Sequence, residues 1–448
     1  MLNPARPFFF LLLYVVVLYI RPQEYVPGLI GTPLVPVSLL AAFAFWLMAQ
    51  PKNFEASQHR LLLGLLAVMS FSVLLTGWIT GAIDVITDFI PTLMLFYVTA
   101  TTLDSLKRFR DFSIMLTVVS TVIAIHGYEQ FASELGIGWT GAKMIEERIT
   151  YLGFLGDPND LSMAFLMTLP LTLYVAKVSG SFLVRIACYA STGIVLYAIY
   201  LCNSRGSMLG LLAMVGFYAI QRFGWFRSVI VAPMLLIPLL LLAPSRVSEI
   251  SADEDSAAGR IDAWYEGFDM FRTHPLFGVG KGLFTEHHPL TAHNSFVLAI
   301  AELGIVGYFF WLSILVVSAV MLVRILRASA PEELAPPVMA PGTYGLPPPV
   351  PVTNVDPSMS WADLQLAARA LAYSMIGSLV TAFFLSRSYV VFLFLLVAMI
   401  VAVYQMARAR WPSFAPVRAT DMIGKLFFFD IGSIVFLWLL TRVLLGYS

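Results

Sequence analysis

The feature that most limits what this chain can fold into is a succession of long apolar runs with almost no charge inside them. They lie near residues 7–20, 34–50, 61–77, 85–103, 112–131, 161–177, 184–202, 206–221, 228–243, 304–325, 364–385 and 389–407. A helix that crosses a bilayer needs about 20 mainly apolar residues. The runs therefore predict an all-α polytopic membrane protein of about twelve transmembrane helices. Composition agrees, since 59% of the 448 residues are hydrophobic and 12% charged, whereas a soluble domain carries roughly 25% charged residues. The 27 Lys and Arg balance the 27 Asp and Glu, which argues against a strongly basic nucleic-acid binder and leaves no nucleic-acid partner expected. Cys188 and Cys202 fall in one apolar run, about 21 Å apart along a helix, beyond disulfide reach. Arg6 precedes FFFLLLYVVVLYI with no small-x-small cleavage site, so the first run reads as a retained span.

If the N-terminus is cytoplasmic, the cytoplasmic connections contain or adjoin Lys52, Arg60, Lys107, Arg108, Arg110, Lys177, Arg185, Arg222, Arg227, Arg324, Arg327, Arg408, Arg410, Arg418 and Lys425. The positive-inside rule then fixes this orientation. The stretch 426–446 carries Asp430 and Arg442 and reads either as a thirteenth span or as an interfacial helix. The chain divides into spans 1–9 over 1–243, an outer loop over 244–303, a tenth span over 304–325, a Pro-rich cytoplasmic linker over 326–363, spans 11–12 over 364–407, and a C-terminal part over 408–448 with a cytoplasmic segment and an apolar helix.

The outer loop concentrates the polar chemistry. It holds His274, His287, His288 and His293, four of the six histidines in the chain, and eight acidic against four basic residues over 244–293. Ile261, Trp264, Tyr265, Phe268 and Phe271 recur at helical spacing, which predicts an amphipathic surface helix over 257–273 with Arg260 and Trp264 on one face. HPLFGVGKG then reads as a turn that swings the chain back. In His293-Asn294-Ser295, Asn294 or Ser295 can cap the following apolar helix. His293 would then sit at the positive helix end, where a neutral imidazole suited to general-base chemistry is favoured. A plain interfacial histidine is the competing reading.

Arg205, in LCNSRGSMLG, lies at the outer end of the seventh span, and Arg387 and Arg21 end the eleventh and first spans likewise. These run against the cytoplasmic charge bias and suit an anionic lipid-linked phosphate, although snorkelling at the interface would also place them there. GVGKG lacks the first glycine and the final Ser or Thr of a phosphate loop. The spacing of His287, His288 and His293 matches no common zinc pattern, and Asp253-Glu254-Asp255 reads as a solvated acidic run. His126 and Glu129 are candidates for a proton-relay pair or for an ordinary polar helix end. Trp139, Tyr151, Trp264 and Tyr265 could stack on sugars or form an aromatic girdle.

The order of SRGSMLG, GRIDAW, HPLFGVGKGLF and AHNSFVLAIAELGIVG resembles the O-antigen ligase superfamily of bacterial envelope enzymes, which includes O-antigen ligases, O-antigen polymerases and protein O-oligosaccharyltransferases. RPQEYVPGL and GDPND look like the branch associated with exosortase-type systems. The resemblance implies a GT-C-like glycosyltransferase, metal-independent, inverting and without a cofactor, whose donor is an undecaprenyl-diphosphate-linked glycan. It implies a bacterial inner-membrane enzyme, surrounded by membrane lipids, with its active site facing the periplasm. By this resemblance His293 is the catalytic base and Arg205 and Arg260 bind the diphosphate, with Arg387, Asn294 and Trp264 in support. The expected reaction is O-antigen ligation to a lipid A-core sugar hydroxyl. A polymerase using a glycan acceptor or an oligosaccharyltransferase using a protein acceptor are the alternatives. A flippase or transporter of an anionic lipid-linked substrate is more distant, because it requires a charged path through the membrane and most Arg and Lys lie at span ends.

Overall fold

A computed structural model describes residues 5–49, 52–224, 227, 254–330 and 359–446. Among these residues the chain is helical, with only isolated β-bridges between 137 and 148. The helices are α1 Ala5–Ile20, α2 Leu34–Met48, α3 Gln58–Leu74, α4 Ile79–Thr102, α5 Leu106–Ala132, α6 Pro158–Val178, α7 Phe182–Leu201, α8 Arg205–Phe223, α9 Glu254–Thr273, α10 Phe284–His287, α11 Ser295–Arg327, α12 Trp361–Ala382, α13 Val391–Arg410 and α14 Ile423–Leu445. Nine helical stretches among the described residues are long and apolar enough to cross a membrane; α2 and α3 are shorter apolar helices. The protein is an all-helical polytopic membrane protein. The expected span 228–243, most of the Pro-rich linker, and Asp253 lie outside the described residues.

Helix α12 is not among the nine stretches apolar enough to cross a membrane, because WADLQLAARALAY places Asp363, Gln365 and Arg369 in its first turns. It packs instead inside the bundle, against α6, α8, α11 and α13. The approach to α8 is very close. A Cβ on Gly210 would lie 2.7 Å from the Gly377 carbonyl oxygen, and one on Gly206 would lie 3.0 Å from Phe384 Cβ. The G-x-x-x-G spacing inside SRGSMLG is thus a small-residue seam of the kind that lets membrane helices meet backbone to backbone. Helix α14 runs the depth of the bundle. Ala419, just before it, donates its N–H to Ser57 Oγ at the start of α3, whereas Arg442 near its other end lies over the rings of Tyr265 on α9 and Trp438. The stretch 426–446 is therefore built as a span-length helix.

Helix α11 is broken at Gly304, whose φ of 60° and ψ of −168° interrupt the helical ladder. HPLFGVG fills the break. Val279 and Gly280 donate to the carbonyls of Ala301 and Glu302, each at 3.0 Å, and Ile305 and Val306 donate to Pro275 and Leu276. A break inside a membrane-spanning helix frees backbone groups that need new partners, and this turn supplies them. Gly278 and Gly304 have φ of 68° and 60°, and a Cβ on either would strike the backbone of the other segment. Gly278, the first glycine of GVGKG, is therefore explained by backbone contact with α11.

Candidate functional site

The sequence-predicted arginines and His293 gather at one end of the bundle, carried there by five separate elements. Ser204 caps α8 by accepting the Ser207 N–H, which puts Arg205 at its first helical position. Arg260 lies on α9. That helix is anchored one turn later by Trp264, whose indole Nε1 donates to the Ala292 carbonyl at 2.8 Å and whose ring meets Phe383 edge-on. Ala292 immediately precedes His293, so one bond couples α9 to the histidine's own loop. Trp264 and Phe268 form the buried face of α9, while Tyr265 points outward beneath Arg442.

Asn294 caps α11, its side-chain oxygen accepting the N–H groups of Phe296 and Val297. Ser295 and Ser388 fasten the same turn to the connection after α12. Ser295 Oγ donates to the Leu385 carbonyl and accepts the Arg387 N–H, Ser388 Oγ donates to the Ser295 carbonyl, and Thr291 Oγ1 donates to Ser386 Oγ. His293 is held between these fastenings with φ of 47°, a left-handed conformation that side chains other than glycine adopt at a cost.

Arg387 is fixed from its other side by GDPND. Asp157 caps α6, with Pro158 at the first helical position. The Arg387 guanidinium bonds Asp160 through Nε and lies 3.6 Å from Asp157 Oδ2. The sequence marked both strings, but their pairing depends on a separation of 227 residues. Arg148, which the sequence places in the polar segment 132–160 without a site role, is a further arginine at this end. Its side chain is largely buried, it lies 3.5 Å from Glu146, and it is within electrostatic reach of Cys202, which also feels Asp157.

Electrostatics tie these groups into one cluster. The His293 pKa is lowered from its ordinary value chiefly by burial, next by Arg260 and Arg387, and Asp157 opposes them. The Arg260 pKa is also lowered, by burial first and then by Arg205. Two guanidinium groups from different elements thus lie within electrostatic reach of each other on partly buried ground, and Arg260 has no carboxylate partner among the described residues. Like charges held together in this way favour a bound anion. The N-terminus of α8 contributes in the same sense, because its free N–H groups and dipole favour negative charge.

Residues 190–312 match the O-antigen ligase family model. No curated protein matches the chain. The match supports the resemblance to the O-antigen ligase superfamily and, with it, an enzyme of the glycosyltransferase-like ligase and polymerase class. It spans Arg205, Arg260, Trp264, His293 and Asn294, but not Arg387, Asp157 or Asp160, which the fold brings to the matched segment from outside it.

Other expectations change in detail. Tyr151 and Trp264 are buried and bonded to the carbonyls of Ile20 and Ala292, which leaves neither ring face for stacking on a sugar. His126 and Glu129 do not form a relay pair. His126 Nε2 meets Thr140 Oγ1 at 2.8 Å, while Glu129 accepts the Trp139 N–H, so both fasten the 133–150 loop. His288 is engaged by Leu290 and Asp262, apart from His293. Arg21 pairs with Glu24 and packs against Gly153 at the same end of the bundle.

Proposed function

We propose that the protein is an O-antigen ligase of the bacterial inner membrane, transferring a glycan from undecaprenyl diphosphate to a lipid A-core sugar hydroxyl at the periplasmic face. The observation that carries this reading is the electrostatically coupled pair Arg205 and Arg260 beside a half-buried His293, within the segment matched by the O-antigen ligase family. An acceptor hydroxyl has a high pKa and needs a base as it attacks. A histidine with a lowered pKa is neutral at pH 7 and free to take that proton. Attack on the anomeric carbon from the face opposite the diphosphate forms the new glycosidic bond, breaks the bond to the diphosphate oxygen, and inverts the configuration. Charge then grows on the leaving diphosphate, where Arg205 and Arg260 stabilise it in a partly desolvated site. Arg387 has a different part. Its charge is shared with Asp157 and Asp160, so it orients the turn carrying His293 and lowers the pKa of the imidazole.

The deciding experiment reconstitutes the full chain with purified polyprenyl-diphosphate-linked glycan and offers lipid A-core, free glycan or protein as acceptor. Product on lipid A-core supports ligation. Product on glycan or protein alone moves the assignment to a polymerase or a protein O-oligosaccharyltransferase.

A further inference from the structure

At the end of the bundle remote from His293, helices α6, α8 and α12 enclose an open cavity of about 430 Å³. Its walls are apolar, with Leu173, Leu211, Met214 and Leu366 among them, and its rim carries Lys177, Arg222 and Arg369. Lys177 and Arg222 each lie seventeen residues beyond Asp160 and Arg205 on their own helices, roughly 26 Å along the helix axis. That is close to the depth of a bilayer's hydrocarbon core.

We propose that this groove binds an anionic phospholipid of the surrounding membrane, with an acyl chain against the apolar wall and the phosphate on Lys177, Arg222 and Arg369. Several cations at this end are engaged elsewhere, whereas these three converge on one groove. Lys107 and Arg110 pair with Asp111, Arg108 pairs with Asp104, and Arg324 and Arg408 bond backbone carbonyls. Lys177, Arg222 and Arg369 come from three different helices, share one cavity, and have no ion pair among the described residues. Asp363 and Arg110 both act electrostatically on Tyr174 in the cavity wall, but Asp363 accepts a hydrogen bond from Ser360 and Arg110 is paired with Asp111. Tyr373 donates to Gln221 across α12 and α8 at 2.8 Å, leaving the Gln221 amide N–H groups for a headgroup. The occupant is a phospholipid and not the hydrocarbon tail of a donor anchored near His293, because a hydrocarbon tail gives three convergent cations nothing to bind. Basic pockets between membrane helices are suited to anionic headgroups.

The test is native mass spectrometry of the full chain released from nanodiscs of phosphatidylcholine doped with phosphatidylglycerol. The expected result is one retained phosphatidylglycerol in strong preference to phosphatidylcholine. Each cation near an anionic headgroup is worth about fivefold in affinity, so the combined Lys177→Gln, Arg222→Gln and Arg369→Gln variant should lose that preference by on the order of a hundredfold. Lys107→Gln, at the same end but already paired, should retain it. Leu173→Trp, which narrows the groove and leaves the cations in place, should lower retention, so the proposal does not depend on the triple variant alone. Unchanged preference in the triple variant, or unchanged retention in Leu173→Trp, would overturn the proposal. Equal retention of phosphatidylcholine by the wild type, full competition by millimolar inorganic phosphate, or a polyprenyl phosphate as the retained species would also overturn it.

Discussion

Ser295 Oγ accepts the backbone N–H of Arg387 at 2.9 Å, so the serine of the His293-Asn294-Ser295 turn sets the position of an arginine that arrives from beyond α12. The same hydroxyl donates to Leu385 at 2.6 Å, and the serine is fully buried. Ser295→Ala strands both backbone groups. The expected cost is about 1–3 kcal/mol of stability, together with a fall in turnover as His293 and Arg387 lose their common support. Thermal unfolding in detergent and steady-state transfer kinetics measure the two effects.

The pH dependence carries a sign for each neighbour of His293. A base acts when deprotonated, so kcat/KM should rise through the lowered folded-state pKa, with its acid limb below the ordinary histidine value, and level off above it. Arg260→Gln removes a cation and should move the limb to higher pH. Asp157→Asn removes the opposing carboxylate while keeping an oxygen to cap α6, and should move it to lower pH. Because a bound diphosphate offsets the arginines, the limb in kcat should lie above that in kcat/KM. A limb that moves in the same direction in both variants contradicts the arrangement.

Trp264→Phe retains an aromatic ring against Phe383 but loses the bond to the Ala292 carbonyl. Leaving that carbonyl unsatisfied should cost about 1–2 kcal/mol. Turnover at saturating donor should fall because the bond secures the residue next to His293. Titration of donor affinity alongside kcat separates this from a loss of diphosphate binding, which is expected to change little.

Gly304→Ala places a Cβ 2.5 Å from the Leu276 carbonyl carbon at a φ of 60°. Strain and collision together should cost at least about 3 kcal/mol. Gly216→Ala, in α8 with open space around it, should instead be neutral or stabilise by up to about 1 kcal/mol. Denaturation of both variants in the same detergent provides the comparison.

The described spans were legible in the sequence because each records its own environment as a local apolar run. Helix α12 shows the limit of that signal, since a helix surrounded by protein can carry Asp363 and Arg369 in its first turns. The His293 turn was legible as a cap, and Asn294 makes the expected hydrogen bonds. The break at Gly304 was signalled only by a glycine in AELGIVG, whose meaning depends on the distant HPLFGVG segment that fills it. The pairing of Arg387 with GDPND was hidden for the same reason. A contact across 227 residues leaves no periodicity, and an aspartate serving as both cap and counter-ion looks in sequence like a cap alone.

The most direct test of the central claim follows transfer and donor binding together in reconstituted His293→Ala. The account predicts that glycan transfer from the polyprenyl diphosphate is lost while donor affinity stays near that of the wild type, because Arg205 and Arg260 remain. Wild-type turnover in that variant contradicts the account.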